Sequence, residues 1–206
     1  LFYVFLCPNK TEIYTYSKDF DERGVVYHLA TIYGKSSQVN PSSKQIVVTR
    51  SSDREGHAED LLKKCGTVSG TEDKEGSSWC VDLTEKYVLF LTHYTLRHGC
   101  EKRQSVLLNW RLQGSLDGRR WTTLKNHEND HGLNKDRSYC TCTWAIDGNS
   151  NTFSYFRIFQ AAKNSPGNFS IFLSGIKLYG FLIEKSSLIS KNLRTRKYLS
   201  FNAMLK

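Results

Sequence analysis

The residues most suggestive of catalysis are His127-Glu128-Asn129-Asp130-His131, which satisfy the pattern H-E-x-x-H. In zinc hydrolases this spacing puts two imidazoles one helical turn apart on the metal, with the glutamate as general base. The pattern needs a helix, and Asn129, Asp130 and Gly132 are poor helix formers set between predicted strands. Among the glutamates only Glu184 follows Glu128, so a third ligand is not at hand. The segment is therefore expected to be a solvated loop, and a zinc hydrolase remains a remote alternative. Cys140-Thr141-Cys142 puts two thiols on one face of a strand, but no second cysteine pair or nearby histidine pattern completes a tetrahedral site. These read as core cysteines. No G-x-S-x-G elbow, Walker loop or G-x-G-x-x-G is present, so no catalytic residue, metal or cofactor is expected.

Binding chemistry is better represented. Arg97-His98-Gly99 closes a long apolar run and Arg119-Arg120 follows a turn, so both pairs are expected to project at strand ends, where binding groups often sit. The candidate recognition surface comprises Arg97, His98, His127, Asn129, Asp130, Asn164 and Asn168. Guanidinium and amide donors are mixed there with carboxylate and carbonyl acceptors, which suits a peptide or sugar hydroxyls. Arg157 is assigned instead to supporting the framework.

Strands must position these groups. Residues 109–124 read as a hairpin: Leu108, Trp110 and Leu112 fall on one face, Asn109, Arg111 and Gln113 on the other, and Asp117-Gly118 supplies the turn. Trp79, Val81 and Leu83 alternate with Cys80 and Asp82, and residues 87–96 form an almost continuous apolar run. Further strands are predicted over 45–50, 138–144, 155–160 and 171–181. Residues 24–33 fit a short helix or a strand, and 58–64 a helical turn or two. Strands at this spacing, broken by Gly, Asn and Asp clusters, indicate an all-β sandwich or barrel.

Composition sets the remaining bounds. A chain of 206 residues with 13% aromatic residues can bury a core without staples. The formal charge is +9, but residues 185–206 hold six basic side chains and no acidic one, so the basicity is mostly a property of the tail. Six cysteines, at 7, 65, 80, 100, 140 and 142, are expected to be reduced thiols, because several lie in or beside apolar strands. The triplets Asn9-Lys10-Thr11 and Asn168-Phe169-Ser170 match the glycosylation acceptor pattern but would indicate secretion only with a leader. The chain begins without methionine and reads as a fragment, and its opening six-residue apolar run is too short to span a membrane.

Taken in order, these segments resemble the discoidin or coagulation-factor 5/8 type C domain, a galactose-binding-like jelly roll. Trp79 to Leu83 is similar to that family's Trp…Val-Asp-Leu strand, and Trp110 to Trp121 to its strand, Ser-x-Asp-Gly turn and tryptophan. Phe156-Arg157-Ile158 is similar to its Tyr-x-Arg-Ile segment, and Ile176-Lys177-Leu178-Tyr179-Gly180 to its closing Glu-Leu-Tyr-Gly strand, with Lys177 in place of the usual glutamate. Tyr94 to Gly99, Leu108 to Ser115 and Asn164 to Asn168 resemble a branch found in BTB-domain proteins and large ubiquitin ligases.

The resemblance implies an all-β jelly-roll sandwich with short peripheral helices over a discoidin-like domain at 20–184; residues 1–19 read as an N-terminal extension, and 185–206, which lose the strand pattern and gain charge, as a basic linker or a truncated segment. It implies a noncatalytic cytoplasmic module that binds a protein or peptide. A secreted carbohydrate-binding module is the alternative, so a glycan is the second partner class, and neither nucleic acid nor a transmembrane segment is expected. Secreted relatives often tie their ends with a disulfide, whereas no cysteine follows Cys142.

Overall fold

The structure, a computed structural model, describes residues 10–31, 45–64, 66–99, 105–133, 138–165 and 167–185. Cys7, Cys65, Cys100, Asn9 and most of the basic tail lie outside them. Nine strands are described: β1 (Thr11–Tyr14), β2 (Val47–Arg50), β3 (Ser78–Asp82), β4 (Tyr87–His98), β5 (Trp110–Ser115), β6 (Thr122–His127), β7 (Thr141–Ala145), β8 (Tyr155–Gln160) and β9 (Leu173–Glu184). They form two antiparallel sheets, ordered β1-β9-β4-β7 and β2-β3-β8-β5-β6.

Alternation builds the core. Trp79 and Val81 from β3, Trp110 and Leu112 from β5, and Phe156 and Ile158 from β8 face Leu89, Leu91, Tyr94 and Leu96 of β4 and Ile176 and Leu178 of β9. The expected hairpin is present, with Trp110 paired to His127 and Gly114 to Thr122. Its connection is longer than a two-residue turn. Gly118 takes φ +68, and the Ser115 hydroxyl accepts the Asp117 and Gly118 N–H groups. The Asp117 carboxylate accepts the Arg119 and Arg120 N–H groups, which hold its carboxyl below the usual range. Trp121 is half-buried on the outer face rather than in the core.

Residues 24–33 resolve in favour of helix over α1 (Val25–Ala30), whose Val25, Val26, Leu29 and Ala30 are buried. A 3-10 turn at Ala58–Leu62 is capped by the Asp60 carboxylate, which accepts the His57 N–H. One difference concerns the start of the domain: β1 pairs with β9 through Tyr14↔Gly180, so the sheet begins inside the stretch expected to be an extension. Short β1 reads Thr11-Glu12-Ile13-Tyr14, polar-polar-apolar-aromatic, so it shows no period-two alternation to mark it as a strand.

The two outer faces differ. Gly175, Lys177 and Tyr179 of β9 point away from the core but are covered by α1 and by Tyr16 and Phe20 of the preceding loop. That cover makes β9 buried on both sides. The Lys177 ammonium lies 5.6 Å from the Phe20 ring and 5.0 Å from the Tyr27 ring, and burial pushes its pKa down to about 8.

Candidate functional site

Strand direction fixes where the loops go. β3 pairs with β8, β8 with β5 and β5 with β6, and β4 with β9 in the other sheet, so that Ser78, His98, Trp110, His127, Gln160 and Leu173 share one end of the sandwich. The described residues of the connections that follow β2, β4, β6 and β8 therefore gather on one rim, with the hairpin turn and Arg119-Arg120 at the opposite rim. All seven candidate residues belong to that first rim.

Within it they divide by burial. Asn129 is exposed, and Asp130 and Asn168 are half-exposed. Arg97, His98, His127 and Asn164 are buried, at 7%, 2%, 4% and 3% exposure, so the expectation that Arg97 and His98 project is corrected. The Arg97 guanidinium donates to Ser174 Oγ (2.9 Å), Ser174 O (2.7 Å), Lys63 O (3.0 Å) and Lys64 O (2.6 Å) and lies 4.4 Å from the Phe20 ring. Three of these bonds go to backbone carbonyls, of Lys63, Lys64 and Ser174, so the guanidinium pins the 51–77 loop to β9, and its stack on Phe20 adds the 17–23 loop. Asn164 Oδ1 accepts the Leu108 N–H and its Nδ2 donates to Ser170 O (2.6 Å).

His127, Asp130 and Tyr94 form a hydrogen-bonded chain. Because the carboxylate of Asp130 only accepts, Nδ1 of His127 carries the proton and donates to Oδ2 (2.6 Å). Nε2 then accepts from the Tyr94 hydroxyl (2.5 Å), whose oxygen takes the Trp110 indole N–H (3.3 Å). The carboxylate is completed by the Trp144 indole N–H (3.0 Å) and the Gly132 N–H (2.7 Å). The imidazole stacks on Trp110 at 3.9 Å with 6° between planes. Burial holds the His127 pKa below its ordinary value against the pull of Asp130, and burial raises that of Tyr94.

This geometry removes the zinc pattern. His127 ends a strand, Asn129 takes φ +50, and both nitrogens of His127 are engaged by Asp130 and Tyr94. His127 and His131 do not share a helical face, because no helix exists there. Among the described residues no group of three or more His, Cys, Asp or Glu side chains is placed to hold a metal. Cys80, Cys140 and Cys142 are free thiols. Cys140 is buried, and its Sγ donates to Leu133 O.

Three loops are stitched together above this chain. Asn109 Oδ1 accepts the Asn129 N–H (2.9 Å), and its Nδ2 donates to Lys163 O (3.0 Å). Leu108 O accepts the Asp130 N–H (2.9 Å), and Asn168 Nδ2 donates to Ser105 Oγ (2.8 Å). Tyr94, Asn109 and Trp144 were not among the sequence candidates. Tyr94 reads as an ordinary core aromatic, and nothing in the spacing tells that its hydroxyl closes a chain from a loop 33 residues away.

Solved structures share this architecture. A Clostridium perfringens module, CpGH89CBM32-5 in complex with GalNAc-β-1,3-galactose, is 14% identical, with 66% of this chain and 96% of that one covered and a TM-score of 0.53. The family 32 CBM of C. perfringens NanJ, in complex with galactose, is 11% identical over 66% and 94% of the two chains, with a TM-score of 0.52. The chain has the discoidin-type, galactose-binding-like fold. No protein-family model matches this discoidin-type domain. By sequence it is similar to the Drosophila melanogaster E3 ubiquitin-protein ligase Ufd4 (32% identity, 88% of this chain, 7% of the ligase). It is likewise similar to the Caenorhabditis elegans E3 ubiquitin-protein ligase hecd-1 (36%, 81% and 6%) and the Arabidopsis thaliana BTB/POZ domain-containing protein At2g30600 (32%, 81% and 22%). These are the kinds of protein to which the motifs around Tyr94, Trp110 and Asn164 point. The domain spans less than a quarter of each relative's length. No helix among the described residues is long and apolar enough to cross a membrane.

Proposed function

We propose that this domain is a noncatalytic recognition module of a larger cytoplasmic protein of the ubiquitin-ligase or BTB kind, binding a protein or peptide partner through the rim that carries Asn129. The observation that carries this reading is the stitched rim: loops 105–109, 128–133 and 161–168 are tied by Asn109, Asn164 and Asn168, so the polar groups on them are ordered before a partner arrives. Ordering in advance lowers the entropy cost of binding. Asn129 and Asp130 are the contacting groups, while Arg97, His98, His127, Asn164 and Asn168 hold the rim in shape, Asn168 through its bond to Ser105. The chain Asp130–His127–Tyr94 is no catalytic relay, because the Tyr94 hydroxyl is fully buried and already bonded on both sides.

The test is selection of peptides from a displayed library on the folded domain, followed by titration of a recovered peptide into Asn129→Ala and Asn168→Ala. Asn129→Ala is expected to weaken binding several-fold with its thermal transition kept, and Asn168→Ala to weaken it together with a lower thermal transition, since the tie to Ser105 is lost. Unchanged affinity in both would remove the rim as the site. A glycan is the second reading, favoured by the galactose held in a solved structure of the same fold. Saturable galactose binding that Asn129→Ala abolishes would transfer the rim to sugars.

A further inference from the structure

The outer face of the five-stranded sheet has no element packed across it among the described residues, in contrast to the covered face of the other sheet. Alternation turns Arg111 and Gln113 of β5, Tyr155, Arg157 and Phe159 of β8, and Cys80 and Asp82 of β3 onto that face. Trp121 joins them from the start of the returning hairpin arm, through its contact with Arg157.

Arg157 sits in the middle. Its Nε and Nη2 donate to Gln113 Oε1 at 3.0 and 2.7 Å, and its cation lies 4.0 Å from the Trp121 ring and 4.9 Å from the Phe159 ring. A guanidinium is a rigid planar fork, so fixing one edge by Gln113 and stacking it on two rings sets the direction of the other edge. That outer edge, Nη1 with the second hydrogen of Nη2, meets no acceptor among the described residues. Arg111, on the neighbouring strand, makes one long bond to Asn126 Oδ1 (3.4 Å) and has no carboxylate partner. Arg119 stands without one in the turn that packs on Tyr155.

The carboxylates nearby do not neutralise these cations. Asp82 is held by the Thr84 N–H (2.6 Å), and Asp117 is taken by the Arg119 and Arg120 N–H groups and the Arg120 side chain. The face is an oriented, unpaired arginine fork framed by aromatic rings.

We propose that this face is a second recognition surface, separate from the rim, on which the outer edge of Arg157 and the side chain of Arg111 take carboxylates of an acidic peptide segment. A bidentate fork matches a carboxylate, and Trp121 and Phe159 shield the pair from water on either side. A single-stranded nucleic acid fits less well, because the Arg157 cation lies over ring faces that bases would need for stacking.

The experiment is a nuclear magnetic resonance titration of the full 206-residue chain, following the Arg157 Nε–Hε and Trp121 indole resonances. The probes are acetylated, amidated octaglutamate, octalysine and an eight-nucleotide oligothymidylate. Reading assigned resonances separates this face from binding to the basic residues beyond 185. Saturable shifts of both resonances with octaglutamate and none with octalysine are expected. Arg157→Lys should weaken octaglutamate about five-fold by replacing the fork with a point charge. Arg111→Gln should weaken it about three-fold by removing one exposed cation. Arg111→Gln leaves the Gln113–Arg157 pair untouched and keeps the proposal falsifiable if Arg157→Lys disturbs the sheet. Arg54→Gln, on the rim, should bind as the parent does. Absence of saturable shifts, parental affinity in both arginine variants, or tighter binding of the oligothymidylate through the same resonances would each overturn the proposal.

Discussion

Replacing Tyr94 by phenylalanine tests the buried chain most directly. The change removes one oxygen and leaves the ring, its stack on Trp144 at 5.2 Å and the strand pairing in place. It orphans two groups at once: the Trp110 N–H and Nε2 of His127, both in residues at or below 4% exposure. A buried polar group stripped of its partner costs about 1–3 kcal/mol, so the pair is expected to cost about 2–6 kcal/mol. In a domain of this size each kcal/mol moves Tm by about 2–4 °C, giving a fall of about 4–24 °C. Urea unfolding followed by circular dichroism is the assay, with the slope m unchanged because the core stays intact. Combining Tyr94→Phe with His127→Leu should cost less than the sum of the two by at least about 1 kcal/mol, since both members of one bond are then gone. A single-variant loss below about 0.5 kcal/mol, or strict additivity, would refute the claim that the chain is closed and satisfied.

The remaining predictions concern ionisation and backbone. Burial depresses the folded-state pKa of His127 and of His28 below 6.5, so the unfolded chain takes up protons first. Stability should be fully present above about pH 6.5 and decline as pH falls below it, with a shallower decline in His28→Gln, measured by urea midpoints between pH 8 and 5. The Lys177 amine is pushed down to about 8, so the penalty for burying its charge is complete below that pH and vanishes above about 10.5. Lys177→Met should therefore stabilise the domain at pH 7, by on the order of 1–3 kcal/mol, and the gain should shrink by pH 10. Destabilisation at pH 7 would show that the Phe20 and Tyr27 contacts outweigh desolvation. Burial pushes the Cys80 thiol up to about 11, so iodoacetamide should label it far more slowly at pH 8 than an unfolded-chain cysteine, as read by peptide mass mapping. Gly180 takes φ +146, and an added Cβ would lie 2.0 Å from the Phe90 carbonyl oxygen. Gly180→Ala should cost about 3 kcal/mol or more, because backbone strain and a clash add at the β4 bulge, and a thermal melt reads it directly.

What the chain's own letters disclose is the part governed by period-two burial. β3 and β8 alternate along their length, and β5 over its first three residues, because one face meets the core and the other is open, so the register is visible in Trp79-Cys80-Val81 and Trp110-Arg111-Leu112. β9 hides its register: α1 and Phe20 cover its outer face, which buries Lys177 and Tyr179 beside Leu178. The site was half legible for a related reason. Its location at one end follows from strand direction, but whether Arg97 points to solvent or to the Lys63 and Lys64 carbonyls depends on where a loop more than 30 residues upstream comes to rest. Charge in a strand-end residue predicts polarity, not exposure.

The same distinction bears on how such a sandwich recognises anything. A long charged side chain on a loop costs ordering entropy when a partner immobilises it. Here the large donors are already committed: Arg97 to four acceptors, His127 to Asp130 and Tyr94, Asn164 to Leu108 and Ser170. Groups left at the rim are short, Asn129 and Asp130, mounted on backbone that the buried donors and Asn168 hold fixed. Arg157 follows the same rule on the open sheet, since Gln113 and two rings set its plane and leave one edge outward. On both proposed surfaces the buried or stacked cation is held in position by its bonds, and specificity would fall to the few atoms that remain exposed.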